Sequence, residues 1–313
     1  MVRLAVSMGD PAGVGAELCV KAALASEFSG VEFRFYGARS VLDEAWQRWG
    51  EGRPAPAAAF DDGLTFADVP VGKADARCGR SAYDALTAAV EAVKRGECAA
   101  LVTAPMNKYS VNLAGIPFTG HTERIAELCG TSDFAMLQST GNLRVIFATT
   151  HIPIAEVSRR LTRERIVLVS KLLDAAIKEE GIPQPKLAAA ALNPHAGENG
   201  CMGREEIDTV IPALEALRAA GVNIDGPYPP DVMFIERIRS RFDGLVAMYH
   251  DQGHIPVKML AFESCVNSTL GIPIVRTSPD HGTAFDIAWK GVADTGSFFA
   301  AVRLAIRRAR HRA

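Results

Sequence analysis

An apolar run, Leu245 to Tyr249, stops abruptly at His250-Asp251-Gln252-Gly253-His254, and the pattern recurs twice. Ile146-Phe147-Ala148-Thr149-Thr150 leads into His151, and Ala191-Leu192-Asn193-Pro194 leads into His195. Each run has strand length. Stretches of helical period separate the strand candidates, as with Tyr83, Leu86, Ala89, Val90 and Val93 within residues 80–95. Strand and helix in alternation imply an α/β protein with a largely parallel sheet. In such sheets ligands bind beyond the carboxyl ends of the strands, which is where the three histidines fall.

The same reading places strands at residues 3–8, 31–36, 99–102, 133–138, 143–148, 186–192, 245–249 and 274–276. It places helices at 16–25, 40–49, 80–95, 123–129, 162–180, 205–220 and along the chain's end. Residues 50–73 read as a loop-rich connection, and the segments near 115–122 and 261–270 as crossings between lobes. The turn Gly9-Asp10-Pro11-Ala12-Gly13-Val14-Gly15 joins the first strand to the first helix. It is neither a Walker loop nor Gly-x-Gly-x-x-Gly, so a plain tight turn accounts for it as well as an anion cradle does. Thr122 is positioned to cap the helix beginning at Glu123, leaving His121 on a loop at a helix N-terminus, where phosphate or carboxylate is favoured.

A chain of 313 residues suggests about two domains or lobes, or one large one. With 48% hydrophobic and 22% charged residues it can bury a sizeable core. A net charge of -2 gives no footprint for nucleic acid, and the basic end, Arg303 to Arg312, reads as a solvated helix face. No apolar run is long enough to span a membrane. The N-terminus enters a strand at once, so no signal peptide is expected. The cysteines, at 19, 78, 98, 129, 201 and 265, form no Cys-x-x-Cys pair and fit a reducing cytoplasm.

Three imidazoles at one sheet edge suit a divalent metal with a position open to substrate. Three separate hydrogen-bonded loop histidines are the alternative at this level. Lys258, Asn267 and Arg276 lie close by in sequence and suit an anionic substrate, an arginine at a strand end being able to bind carboxylate or phosphate bidentately. Singly, Lys258 or Arg276 is better explained as a surface or structural charge. No nucleophile elbow, His-Glu-x-x-His helix or cysteine nucleophile motif occurs.

These residues sit in motifs that resemble the 4-hydroxythreonine-4-phosphate dehydrogenase family, including its paralogues acting on 4-phospho-D-threonate or 4-phospho-D-erythronate. The motifs are Met8 to Gly15, Gly115 to Glu123, Thr150-His151-Ile152-Pro153, Asn193 to Glu198, Tyr249 to Gly253 and Arg276 to Ala284, covering nearly the whole chain. Gly282 to Gly291 is similar to the nucleotide-binding stretch of isocitrate and isopropylmalate dehydrogenases. The resemblance implies a two-lobed α/β/α fold of that type with the active site in the interlobe cleft. Residues 1–121 with 262–313 would form the nucleotide side, and 122–261 the metal and dimer side. It implies metal ligands His151, His195 and His250, shared across a homodimer, and substrate groups His121, Thr122, Lys258, Asn267 and Arg276. Asp280, His281, Gly282, Thr283 and Asp286 would lie near NAD or NADP, and the metal would be zinc, magnesium, cobalt or manganese. Lys258, His254 and Asp251 are the acid–base candidates.

The substrate branch is divided. His254-Ile255-Pro256 leans towards the phosphothreonate enzymes and Gly115 to Glu123 towards the vitamin B6 enzymes. Ala16 stands where proline is common in the family. The implied reaction is oxidation of a secondary hydroxyl by NAD(P)+, with loss of carbon dioxide from the 3-oxo acid. A phosphate acyltransferase and a non-catalytic phosphometabolite-binding protein are the rivals. Neither needs the histidine trio.

Overall fold

The computed structural model describes residues 1–312; Ala313 lies outside them. Met1–Ser132 and Ile272–His311 form one compact unit, and Asp133–Gly271 another. The first begins with β1 (Val2–Ser7), α1 (Gly15–Leu24), β2 (Val31–Tyr36), α2 (Arg39–Trp49), α3 (Ala76–Lys94), β3 (Ala100–Thr103), α4 (Lys108–Leu113) and α5 (His121–Leu128). The second runs through β4 (Ala135–Thr140), β5 (Leu143–Phe147), α6 (Val157–Arg160), α7 (Arg163–Lys178), β6 (Leu187–Ala190), α8 (Ile211–Ala219), β7 (Ile224–Tyr228), α9 (Pro230–Met233), α10 (Glu236–Arg239), β8 (Gly244–Ala247), α11 (His250–Ala261) and β9 (Val266–Leu270). The chain then re-enters the first unit with β10 (Arg276–Pro279) and α12 (Gly296–Arg312).

The first unit orders its strands β2-β1-β3-β10, all parallel. Such strands are covered on both faces, which is why Leu4, Ala5, Val6, Leu101 and Val102 form unbroken apolar runs and are fully buried. Asp75 caps α3 by accepting from the amides of Arg77 and Cys78, and Asn107 caps α4 by accepting from Ser110. α3 lays Leu86, Ala89, Val90 and Val93 against the core, following its helical period.

The second unit orders its strands β9-β4-β5-β8-β6-β7. One face packs Leu137, Ile146 and Val246 against Ile166, Val169 and Leu173 of α7 and Leu214 and Leu217 of α8. The other packs Met136, Val145 and Phe147 with Val257 of α11. Alternate residues of one strand thus serve opposite layers. Each fully buried Leu, Ile or Phe contributes about 1.5–3 kcal/mol.

β4 runs antiparallel to both β5 and β9, while β5, β8, β6 and β7 pair in parallel, so the sheet is largely parallel as expected. Three other features depart from expectation. Residues 266–270 are the buried strand β9 and not part of a crossing loop; Val266-Asn267-Ser268-Thr269-Leu270 alternates too weakly to show this in sequence. β7, carrying a Gly226-Pro227 bond, has no apolar run to announce it. Gly120, not Thr122, is the N-cap of α5, which begins at His121 with no side-chain cap.

Candidate active site

β8 ends at Ala247, and α11 starts at His250. The sequence His250 to His254, expected as a loop, is therefore the first turn of a helix. Gln252 makes the tight entry, its Oε1 accepting from the Met248 amide at 2.6 Å and its Nε2 donating to the Ala191 carbonyl at 2.7 Å. A polar side chain reaching back to the amides before a helix closes its start as a capping box does. Gly253 lies against Phe147, Val145 and Ala247, too close for a side chain.

This turn brings His250 beside His151, with ring centres 5.6 Å apart. Imidazole nitrogens bound to one ion at about 2.0–2.1 Å put two ring centres about 5–6 Å apart. The pair thus fits a shared divalent cation. Nδ1 of His250 stands 2.6 Å from Asp251 Oδ1. A carboxylate on Nδ1 fixes the ring and its tautomer and leaves Nε2 for a metal. His254 sits beneath, buried, stacked on Phe147 at 4.3 Å and on His250 at 3.9 Å. Lys258 is exposed on the same helix, and Asn267 lies on β9 opposite Gln138 of β4.

His195 does not join this pair within the chain: among the described residues no group of three His, Cys, Asp or Glu is disposed to hold a metal. It is exposed on a separate turn with Nδ1 3.1 Å from Glu198 Oε2, the same carboxylate arrangement as at His250. The turn is unusual. His195, Ala196, Gly197, Glu198 and Asn199 all have φ between 45° and 78°. Left-handed backbone costs roughly 1–2 kcal/mol at each residue bearing a side chain.

In the other unit Arg276 is buried at the start of β10, its Nη2 donating to Thr103 Oγ1 at 2.8 Å. Burial holds its guanidinium down to about 10. His121 presents a buried Nε2 without a hydrogen-bond partner. Burial, reinforced by the positive charges of Arg276 and Lys108, pushes its pKa down to about 3, so the ring is neutral at physiological pH. Thr122 follows it in the first turn of α5. A neutral imidazole beside a buried guanidinium suits an anionic oxygen.

The stretch Asp280 to Asp286 leads away from β10. The Asp280 amide donates to Ser297 Oγ, and the Thr283 carbonyl accepts from the Val14 amide. Gly282 has open space around its α-carbon, and Asp286 is exposed. The Gly9–Gly15 turn is tied to this stretch, because Trp289 Nε1 also donates to the Pro11 carbonyl. Ala12, Gly13 and Val14 spend their amides on Asp10 Oδ1, the Asp10 carbonyl and Thr283, so the turn is an interlock and not an open anion cradle.

A model of the family described as pyridoxal phosphate biosynthetic protein PdxA matches residues 28–305. The chain belongs to the PdxA family. It is 44% identical to a 4-hydroxythreonine-4-phosphate dehydrogenase of Chromobacterium violaceum, over 98% of this chain and 97% of that one. It is 40% identical to the D-threonate 4-phosphate dehydrogenase of Salmonella typhimurium, over 97% and 98%. A solved 4-hydroxythreonine-4-phosphate dehydrogenase of Klebsiella pneumoniae superposes with a TM-score of 0.85 at 39% identity, covering 99% of this chain and all of that one. An isocitrate dehydrogenase of Methylococcus capsulatus shares the fold at a TM-score of 0.51 and 16% identity, over 99% and 88%.

Periodicity and motif spacing do not single out several polar groups of this PdxA-family chain. Glu206, 1% exposed, accepts from the amides of Leu192 and Asn193 beneath the His195 turn. Gln138, fully buried, has no hydrogen-bond partner at either amide atom. Asp10, also buried, has its pKa raised to about 6 by desolvation. The one signal in sequence was a polar residue inside an apolar strand, which Gln138 gave and Glu206 did not.

Proposed function

We propose that this protein is a nicotinamide-dependent dehydrogenase acting on a phosphorylated 3-hydroxy acid. The substrate is either 4-hydroxy-L-threonine 4-phosphate or 4-phospho-D-threonate and its erythronate isomer. The carbinol carbon gives its hydrogen as hydride to NAD(P)+ and its hydroxyl gives a proton to a base, and the resulting 3-oxo acid loses carbon dioxide. The observation carrying this reading is membership of a family whose relatives, of similar identity, bear both dehydrogenase names.

His151 and His250 would hold a divalent cation, one of zinc, magnesium, cobalt or manganese, with His195 supplied by a partner subunit. Bound there, the cation supplies Lewis acidity that lowers the pKa of the substrate hydroxyl. Asp251 and Glu198 orient the imidazoles. Arg276, His121, Thr122, Lys258 and Asn267 bind the anionic and polar groups of the substrate. Asp280, His281, Gly282, Thr283 and Asp286 face the nicotinamide cofactor, which makes the first unit the nucleotide side and the second the metal side. Lys258 is the acid–base group on this reading. Apolar surface near the pair supports a homodimer: Ile154 is 71% exposed, Ile255 56% and Met259 82%. No helix among the described residues is long and apolar enough to cross a membrane. Thiols left free at all six cysteines support a cytoplasmic location.

The test follows NADH or NADPH formation with each phosphorylated acid, with added metal and with chelator. Metal-dependent reduction of NAD+ or NADP+ by one of them is expected. No reduction with any substrate sinks the dehydrogenase reading, and full activity in a metal-free His250→Ala protein sinks the metal role.

A further inference from the structure

The turn from Pro194 to Gly200 poses a physical question. A run of consecutive left-handed residues, four of them bearing side chains, does not persist unless its surroundings hold it. Backbone bonds from the Cys201 and Met202 amides to the Glu198 and Gly197 carbonyls, each at 3.1 Å, close the far end of the turn, and the Glu198–His195 contact is on the exposed side, so the entry at Asn193 needs a further hold.

The support comes from Glu206. Its carboxylate is buried, and among the described residues no cation pairs with it. Oε1 accepts from the amides of Leu192 and Asn193, each at 2.8 Å, where the chain leaves β6. Oε2 accepts from Asn193 Nδ2 at 2.9 Å. Oε2 also lies so close to Gly197, mid-turn, that a Cβ there would meet it at 2.5 Å. One carboxylate therefore grips the entry of the turn and abuts its centre. Glu205 adds a second tie, accepting from Asn193 Nδ2 at 2.8 Å while Ser158 Oγ donates to it at 2.6 Å. Glu206 itself opens a π-helical turn, Glu206–Val210, a wide helical turn that shifts the register of the residues before α8.

We propose that Glu206 is a positioning residue for His195: it holds residues 195–199 in the left-handed turn that aims the imidazole outward. The proposal rests on the reading of His195 as a metal-binding group. Glu206 lies below the turn and acts through the amides of Leu192 and Asn193, the Asn193 side chain and the backbone of Gly197.

The experiment titrates Co2+ into chelator-stripped full-length protein and reads affinity and the cobalt d–d spectrum. The proteins are wild type, His195→Ala, Glu206→Gln and Ala196→Gly, each with its melting temperature and oligomeric state. Glutamine keeps one acceptor for the two amides but turns a donor towards Asn193 Nδ2. Supporting groups of this kind typically change metal affinity by about 10–100-fold. The expected result for Glu206→Gln is a loss in that range with an altered spectrum, at unchanged oligomeric state. Ala196→Gly frees the turn without touching the buried carboxylate, and a smaller loss with normal melting is expected. It carries the test should Glu206→Gln fail to fold. Wild-type Co2+ affinity in His195→Ala sinks the metal reading and this proposal with it. Weakened binding in His195→Ala, with wild-type affinity and spectrum in a folded Glu206→Gln or in Ala196→Gly, overturns the positioning role alone.

Discussion

His254 shows how much one side chain's surroundings decide. In sequence it stands four residues after His250 and reads as a second chemical group; in the structure its ring is 5% exposed and filled on both faces, by Phe147 and by His250. Its Nδ1 lies 3.1 Å from the His250 carbonyl. We expect it to act by packing under His250. His254→Phe should keep kcat within several-fold of wild type, whereas His254→Ala should open a cavity and lower stability by about 2–4 kcal/mol in urea titrations. A His254→Phe protein that melts normally yet has lost turnover would restore an acid–base role. His121 is a residue of the opposite kind, where burial sets protonation. Its folded pKa, about 3, lies below its ordinary value of 6.5, so below pH 6.5 the unfolded chain binds the proton that the folded one refuses. Its contribution therefore becomes destabilising as pH falls from 6.5 towards 3 and is constant above that window. Asp10 works against it, since its raised pKa favours the folded state as pH falls from about 6 to 3.8. The difference between wild type and His121→Asn isolates the histidine. We expect the variant to gain relative stability by about 1–3 kcal/mol between pH 7 and 4.5. A pH-independent difference would show that His121 has the same pKa folded and unfolded, so that burial does not set its protonation.

At the scale of elements, α11 is the case where sequence and structure part. Leu245 to Ala247 was legible as a strand because its residues are uniformly apolar, and so was its end. What followed read as a loop because glycine, proline and two histidines are poor helix signals. The helix forms because Gln252 closes its start from both sides and because Gly253 lets α11 settle onto β5. Tertiary packing outweighs propensity, and no local pattern displays that. Gly253→Ala makes this measurable. Alanine improves helix propensity, yet its Cβ would meet Phe147 Cε1 at 2.6 Å and Val145 Cγ1 at 2.8 Å. Overpacking should win, destabilising by about 1–3 kcal/mol in chemical denaturation. An unchanged or raised midpoint would mean that the helix is loosely seated. The same logic explains β9. Val266 to Leu270 lacks clean alternation because Asn267, Ser268 and Thr269 are all polar, and its pairing in the sheet, with β4 on one side, is what makes it a strand. The strands at 31–36 and 143–147 were legible from their apolar residues, although β5 is buried throughout, Arg144 included, and α3 and α7 from apolar residues at helical spacing, even though Ser81, Ser170 and Asp174 are buried among them. The candidate site divides likewise: His151 and His250 announced themselves at strand ends, while Glu206 shows only once the turn above it is folded.

For the whole molecule the question is why His195 stands apart from His151 and His250. The chain gives two imidazoles 5.6 Å apart on one side and a third, exposed and carboxylate-oriented, on a turn that does not reach them. On the proposed reading a second copy supplies the third donor, and in a two-fold dimer the donation is reciprocal. That arrangement makes a quantitative prediction. His195→Ala and His250→Ala should each be inactive as homodimers. When the two are mixed equally and allowed to exchange subunits, half the dimers are mixed. Each mixed dimer contains one site with His250 from one subunit and His195 from the other, both intact, and one site lacking both. Activity should therefore return to about a quarter of wild type. A site built within one chain gives nothing on mixing, because every subunit carries a lesion. The control mixes His151→Ala with His250→Ala. These two groups come from the same chain, so each site of every dimer lacks one of them and no activity should return. Recovery in the first mixture and none in the second ties the exposed apolar face of α11 and the His195 turn to one function. Failure of the first, with subunit exchange verified, would return His195 to the status of a surface histidine.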